Sequence, residues 1–295
     1  MQEFVGAFHA PHAKATRFGE PTIRLMPEGH TIHRLARDQA KTLVGRTLSV
    51  TSPQGRFATG AQMLDGRKLL SIDAHGKHLL YDFDDMFLHV HLGLFGKYKS
   101  QSHDGESSLP EPRGAVRVRF VSNSHVVDLN GPNQCEVLEL QERHDLIGRL
   151  GPDPLRQESD WLLAWERVKS SRSTIGQLIM DQSVMAGVGN IYRTELLFRA
   201  RLSPATLGKN VLRSTFKKLW LDAAALLAIG VKYNRIITVD LDKTDKPATR
   251  LRYGERTLIF GKAQCPYCNG PVTRFEIANR RAFRCDTCQP LEQGD

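Results

Sequence analysis

The sequence predicts a multidomain α+β chain: an N-terminal β-sandwich carrying one helix, a helical middle, and a C-terminal β-hairpin stapled by a metal. Three observations lead there. Short apolar runs of strand length follow one another through the first half. Apolar residues recur at helical spacing through the second. Two Cys-x2-Cys pairs, Cys265/Cys268 and Cys285/Cys288, stand sixteen residues apart near the end.

Taken in order, residues 1–25 carry no sustained apolar period and read as a disordered leader, not expected in the mature protein. The pattern changes at Met26. Ile32, Leu35, Ala36, Ala40 and Leu43 recur at helical spacing, which predicts one amphipathic helix over 28–44. Strand-like runs follow at 47–51, 69–73, 78–83, 86–92, 115–121 and 126–129, with Asp84-Asp85 as a hairpin turn. Together these make a β-sandwich unit over 26–149. Gly151, Pro152 and Pro154 among mixed charges mark a linker over 150–160. A helical unit over 161–262 comes next. It holds a helix near 160–169, another over 173–181 with Ser173 as N-cap, a turn punctuated by Gly187 and Gly189, and a third over 191–199 with Asn190 as N-cap. An apolar helix over 212–227 packs behind them, and the polar stretch 240–253 reads as a loop.

The last unit, 263–290, is the cysteine module. Two Cys-x2-Cys knuckles supply the four soft ligands of a tetrahedral zinc site. The fill between them reads as two strands, 272–277 and 282–284, joined by a tight turn at Asn279-Arg280. So small a module lacks a core of its own, and the metal provides folding free energy. One structural zinc is the expected cofactor, with no organic cofactor; an iron–sulfur site is the alternative that the spacing leaves open. Arg274, Arg280, Arg281 and Arg284 make the hairpin basic, which suits phosphate. Cys135 stands far from the four in sequence and reads as an unligated thiol.

Composition bounds the partners. The 41 Lys and Arg against 32 Asp and Glu give a net charge of +9, which suits a polyanion, either nucleic acid or an anionic membrane surface. No apolar run nears the roughly 18 residues of a spanning helix, and the start lacks the apolar run of a secretory signal. Cysteines gathered in one window do not suggest a disulfide framework, so the cytoplasm is the expected compartment.

At Met26-Pro27-Glu28-Gly29-His30 the chain resembles the start of the formamidopyrimidine-DNA glycosylase and endonuclease VIII family. Three more features occur in that family's order: Gly76-Lys77-His78-Leu79, the helix–two-turn–helix signature Met180-Asp181-Gln182…Gly187-Val188-Gly189-Asn190, and the four-cysteine hairpin. The opening and the run Gly151-Pro152-Asp153-Pro154 look most like an actinobacterial endonuclease VIII branch. The resemblance implies a bifunctional DNA glycosylase and abasic-site lyase that removes oxidised bases, pyrimidines preferred, and cuts by β,δ-elimination. It implies that Pro27 is the amine nucleophile, that Glu28 assists base loss and proton transfer, and that Lys77, Asn190 and Arg280 hold phosphates around the lesion. Leu94 and Phe95, between Gly93 and Gly96, match the wedge that fills the gap left by an everted base. The implied partner is damaged duplex DNA, with single-stranded DNA a second candidate and no membrane; the protein is expected to be a nucleoid-associated monomer.

Three departures bear on this expectation. Thr31 stands where relatives often carry a second glutamate. Gly176 stands where the purine-directed branch carries a lysine, which favours pyrimidine lesions. Pro27 has no free amine while it is joined to Met26, because an internal proline nitrogen is a tertiary amide. Translation from Met26 with loss of that methionine would expose it. A chain that keeps residues 1–26 is instead expected to be a non-catalytic DNA-binding protein.

Overall fold

Glu28 is extended, and α1 (Gly29–Leu43) starts immediately after it, with Ile32, Ala36 and Leu43 buried on one face. The computed structural model describes residues 27–105 and 109–291, so the leader over 1–25 lies outside the described residues. Two four-stranded antiparallel sheets follow α1. One runs β1 (Ser49–Thr51), β6 (Val116–Val121), β7 (His125–Asn130) and β5 (Lys97–Ser102). The other runs β2 (Ser71–His75), β3 (His78–Asp82), β4 (Met86–His91) and β8 (Gln134–Glu139). Val50, Val118, Phe120, Val127 and Leu129 of the first sheet meet Leu79, Tyr81, Leu88 and Val90 of the second in one core, closed by α1. Strand period two decides the rest: Leu80 and Phe87 face outward, where Leu138 and Leu146 cover them.

Four elements escape the sequence reading. β5 is a polar edge strand, Lys-Tyr-Lys-Ser-Gln-Ser, with no apolar alternation to reveal it. β8 alternates only weakly. The helices α2 (Ala58–Leu64) and α3 (Leu140–Gly148) are short, and α3 buries only Leu146. The predicted hairpin turn does form, with Asp84 at φ 82 between Asp82 and Met86.

The segment drawn as a linker is a packed joint. Asp153 is fully buried; its carboxylate meets His33 Nε2 at 2.7 Å and accepts from Gly76 N at 2.7 Å and Leu155 N at 2.9 Å. Three backbone segments meet above it. A Cβ on Gly29 would lie 2.7 Å from Gly187 Cα, and one on Gly76, at φ 58, would lie 3.0 Å from Gly187 N. Only residues without Cβ allow the sandwich, the β2–β3 turn and the helical unit to approach so closely.

The helical unit has its own core, built from α4 (Trp161–Val168), α5 (Ile175–Leu178), α6 (Asn190–Arg199) and α7 (Arg213–Tyr233). The N-cap of α5 is Thr174, which forms a capping box with Gln177; Ser173 lies one residue too early. α7 extends beyond the expected 227 to Tyr233 and ends at Asn234 in the left-handed region. The 240–253 stretch carries three short 3-10 turns. None of the described helices is long and apolar enough to cross a membrane.

The final hairpin pairs β9 (Val272–Ile277) with β10 (Arg280–Cys285). Its turn is Ala278-Asn279, both at positive φ (48 and 59). That is one residue earlier than the sequence suggested, because two consecutive left-handed residues match the strand twist. Arg280 is therefore the first residue of β10, paired with Ile277. Beneath the hairpin, buried Glu195 of α6 accepts four hydrogen bonds, from Thr238 Oγ1 (2.6 Å) and the backbone amides of Leu258, Ile259 and Phe260 (2.6, 2.9 and 2.7 Å). It anchors the chain entering the cysteine module. Glu195→Ala would leave those amides buried and unmet. We expect a loss of about 3 kcal/mol in urea unfolding and faster amide exchange over 256–262, with the sandwich core unaffected.

Candidate active site

The cavity lies where sandwich, helical unit and hairpin converge. It measures about 450 Å³, and Pro27, Glu28, Lys77, Leu94, Asn190 and Arg280 all line it. Six residues singled out from distant parts of the sequence thus line one cavity.

Glu28 is the innermost. Its carboxylate accepts from Gly189 N (3.0 Å, Oε2) and Ile191 N (3.0 Å, Oε1) at the start of α6. Gly189, not Asn190, occupies the N-cap position, and glycine has no side chain to cap with. Asn190 is the first residue of the helix, and the cap comes from Glu28, which immediately precedes α1 in the sandwich unit. A carboxylate suits that end because the helix dipole and the unpaired amides both favour negative charge. Burial nevertheless pushes the Glu28 pKa above its ordinary value, against the opposing charge of Lys77 and the amides of Ile191, Tyr192 and Gly189. A carboxylic acid raised in this way is suited to proton transfer.

Lys77 follows Gly76 in the two-residue turn between β2 and β3. Its Nζ donates to Val188 O at 2.9 Å. Val188 O belongs to the same trans peptide unit as Gly189 N, so Lys77 and Glu28 grip opposite edges of one peptide group. Burial lowers the Lys77 pKa; Glu28 opposes that shift and Arg280 adds to it. Gln182, which the sequence reading quoted without a role, holds the same loop. It donates to Met180 O (2.8 Å) and Val188 O (3.0 Å), and accepts from Gly187 N (3.0 Å).

Asn190 and Arg193, both buried on α6, fix the hairpin. Asn190 Nδ2 and Arg193 Nη2 each donate to Arg281 O at 3.0 Å, and Arg193 Nη2 also reaches Asn190 Oδ1 at 2.5 Å. These bonds bring β10 onto α6 and Arg280 to the cavity. Arg193 had no motif to reveal it; its signal is a charged residue on a helix buried all round. His91 also lines the cavity, and its Nδ1 is buried without a hydrogen-bond partner among the described residues. It stands on β4 opposite His78, and burial, His89 and Lys77 hold its pKa down. Its position on an alternating His-Val-His strand was readable, but not what that strand faced.

Gly93–Gly96 forms a tight loop, closed by Gly96 N to Leu92 O at 3.0 Å. Leu94 is 45% exposed and Phe95 63% exposed. Leu94 lines the cavity; Phe95, also singled out from the sequence, is not among its lining residues.

The four Sγ atoms of Cys265, Cys268, Cys285 and Cys288 lie within 4.8 Å of one another. Cys265 and Cys288 approach to 3.7 Å, and Cys268 and Cys285 to 3.4 Å. Zinc at about 2.3 Å from each sulfur needs S···S separations of about 3.8 Å, so the residues fit a tetrahedral ion. Such an ion would be closed off by its four thiolates and serve to hold the fold. Cys135 sits apart on β8, where burial pushes its thiol up to about 12.

Comparison with known proteins gives a consistent result. Residues 26–134 match the formamidopyrimidine-DNA glycosylase N-terminal domain, and residues 150–241 match the formamidopyrimidine-DNA glycosylase H2TH domain. The chain is 41% identical over 267 residues to Endonuclease 8 1 of Mycobacterium tuberculosis, covering 90% of this chain and 100% of the relative. It is 28% identical over 274 residues to formamidopyrimidine-DNA glycosylase of Thermus thermophilus, covering 90% and 98%. Among solved structures, a Lactococcus lactis FPG mutant bound to Fapy-dG-containing DNA superposes with a TM-score of 0.73 at 21% identity. MutM bound to carbocyclic 8-oxo-G-containing DNA does so with 0.74 at 21%. Each alignment covers 90% of this chain and 100% of the other, and at that identity the likeness establishes the fold.

Two measurements follow from this geometry. Protein purified without chelator should carry about one zinc per chain by metal analysis, and Cys268→Ser should loosen the hairpin while the sandwich stays folded. Arg280→Ala should weaken DNA binding and lower the slope of log K against log salt by about one unit. An unchanged slope would place Arg280 outside the interface.

Proposed function

The chain belongs to the formamidopyrimidine-DNA glycosylase and endonuclease VIII family, and from that membership and its cavity we propose how it acts as a bifunctional glycosylase and abasic-site lyase on oxidised bases in DNA. The observation that carries the reading is the meeting of Pro27, Glu28, Lys77 and Arg280 around one cavity. The Pro27 secondary amine attacks C1′ of the everted nucleoside, the base departs with a proton, and an iminium joins Pro27 to the sugar. Glu28, its pKa raised by burial, supplies and recovers protons beside the reacting carbon. The iminium draws electrons from C2′; loss of the C2′ proton expels the 3′ phosphate, and a second elimination expels the 5′ phosphate. Lys77 and Arg280 hold the flanking phosphates, with Asn190 holding the α6 end to the hairpin. Leu94 and Phe95 occupy the space the base leaves.

Pyrimidine lesions are the proposed preference. Gly176 packs under the hairpin, where a Cβ would meet Ile277 Cδ1 at 2.8 Å and Pro204 O at 2.8 Å, so no longer side chain fits there to read a purine. Duplex DNA is the proposed substrate and a monomer the proposed state. One structural zinc serves the hairpin.

The mechanism requires a free Pro27 nitrogen, so the catalytic form begins at Pro27. In peptide linkage to Met26 that nitrogen has given its lone pair to the carbonyl. A chain of residues 26–295, with methionine loss verified by mass, should release thymine glycol and dihydrouracil from duplexes faster than 8-oxoguanine. Borohydride should trap it on Pro27. The intact 295-residue chain should bind the same duplexes and release no base. Equal base release by both forms would exclude Pro27 as the nucleophile, and faster release of 8-oxoguanine would exclude the pyrimidine preference.

A further inference from the structure

We propose that the head of α7, together with Trp161 of α4, is a docking surface for an acidic, apolar peptide segment of a partner protein. The surface is an open groove of about 540 Å³, lined by Trp161, Leu212, Arg213, Ser214 and Lys217. It shares no lining residue with the cavity, and none of its side chains takes part in the proposed chemistry. The sequence reads Leu212 as the first residue of a packed apolar helix. In the fold it stands ahead of α7, at the N-cap, and is 67% exposed. Leucine is a poor cap, and no side chain closes this first turn. Leu221, one turn past Lys217 on the same helix, is also exposed, at 56%. Apolar surface gathered at a groove and rimmed by charge marks an interaction site, which a leucine exposed by itself would not.

The charge around the groove is of one sign. Arg213 and Lys217 stand one turn apart on α7 and lie over the Trp161 ring, with Arg213 Cζ at 5.5 Å and Lys217 Nζ at 5.6 Å from its centre. Neither cation forms an ion pair among the described residues. The carboxylates of α4, of its cap and of α7 are committed elsewhere. Asp160 accepts from Leu162 N and caps α4, Glu166 pairs with Lys169, and Asp222 pairs with Arg199. The first turn of α7 holds no acidic residue, so its unpaired amides and the helix dipole add to the positive field.

Charge complementarity selects the occupant. A segment carrying carboxylates can meet Arg213 through the paired hydrogen bonds that a guanidinium offers, and Lys217 through a point contact. Its apolar side chains would cover Leu212 and the exposed part of Trp161, which supplies the buried centre that such an interface needs. Single-stranded nucleic acid is the less suited polyanion. It binds by stacking bases on open aromatic faces, and the Trp161 ring already carries two cations. Because groove and cavity share no residue, a partner bearing such a segment can hold the protein while it is on DNA.

The test uses the full chain, a short fluorescein-labelled peptide of Asp, Glu, Leu and Phe, and a control peptide with Asn and Gln in place of the acids. By fluorescence anisotropy the acidic peptide should bind at least about tenfold more tightly than the control, with affinity falling as salt rises. Lys217→Glu and Leu212→Ser should each weaken it by about three- to tenfold and leave the binding of an abasic-site duplex unchanged. Amide exchange should slow over 161–168 and 212–218 when the peptide is added. A saturating abasic-site duplex should leave the peptide bound, in a ternary complex. Displacement by the duplex would put the peptide in the DNA cleft, and equal affinity of both variants would put it elsewhere on the basic surface. Either result overturns the proposal, as does an absence of binding. Displacement by oligothymidylate would give the groove to nucleic acid, and self-association of the chain that Leu212→Ser abolishes would give it to a second copy; both also overturn it.

Discussion

A buried carboxylate closing the N-terminus of a helix from another unit is the contact on which the site depends. Glu28 leaves the sandwich at the first turn of α1 and accepts the amides of Gly189 and Ile191. A helix end buried without acceptors would be unstable, and α6 has none of its own because Gly189 stands at its cap. Without Glu28 the start of α6 would have to turn toward water, and the cavity would open. The same carboxylate is the acid of the proposed mechanism and lines the cavity with Pro27, so one group links the packing of the two units to the chemistry proposed between them. Its burial is what raises its pKa, and the burial exists because the cap requires it.

Around that contact the backbone comes together with almost no side-chain volume. Gly29 N donates to Gly187 O at 2.8 Å, and Gly76 leans on the same loop. Asp153 gathers the turn and α1 from below through Gly76 and His33. Lys77 then has little choice of position. It follows Gly76 in a two-residue turn, and its ammonium or amine meets the Val188 carbonyl that Gln182 also holds. The peptide between Val188 and Gly189 is thereby fixed on both edges, and Lys77 and Glu28 are fixed with it.

The hairpin is placed by a second set of buried polar contacts. Asn190 and Arg193 reach one carbonyl of β10, and Glu195, on the same helix, receives the chain that leads into the cysteines. A metal ion held by the four sulfurs would fix the two ends of the module relative to each other. Arg280 arrives at the cavity because the α6 contacts and the Ala278-Asn279 turn constrain the strand that carries it. Mobile basic residues elsewhere on the surface could attract DNA but could not aim at two phosphates beside one sugar.

Much of this was legible in the chain. Periodicity gave α1, the apolar strands and α7, since those elements bury one side and expose the other. The paired cysteines gave the metal cluster because ligand spacing is local. The ordered motifs gave the family and brought Pro27, Glu28, Lys77, Asn190 and Arg280 forward as site residues. Polar β5 and the weakly amphipathic α3 were silent because their pairing partners, not their composition, decide them. The caps went wrong for the same reason: Asn190 is a good local cap, and local rules have no way to represent an acceptor 162 residues away, at Glu28. Residue type and spacing are properties of the sequence and determined which groups are available. Which of them share a cavity, which are stripped of water, and hence which amine and which carboxyl can react, is set by contacts between units, and only the folded chain decides those.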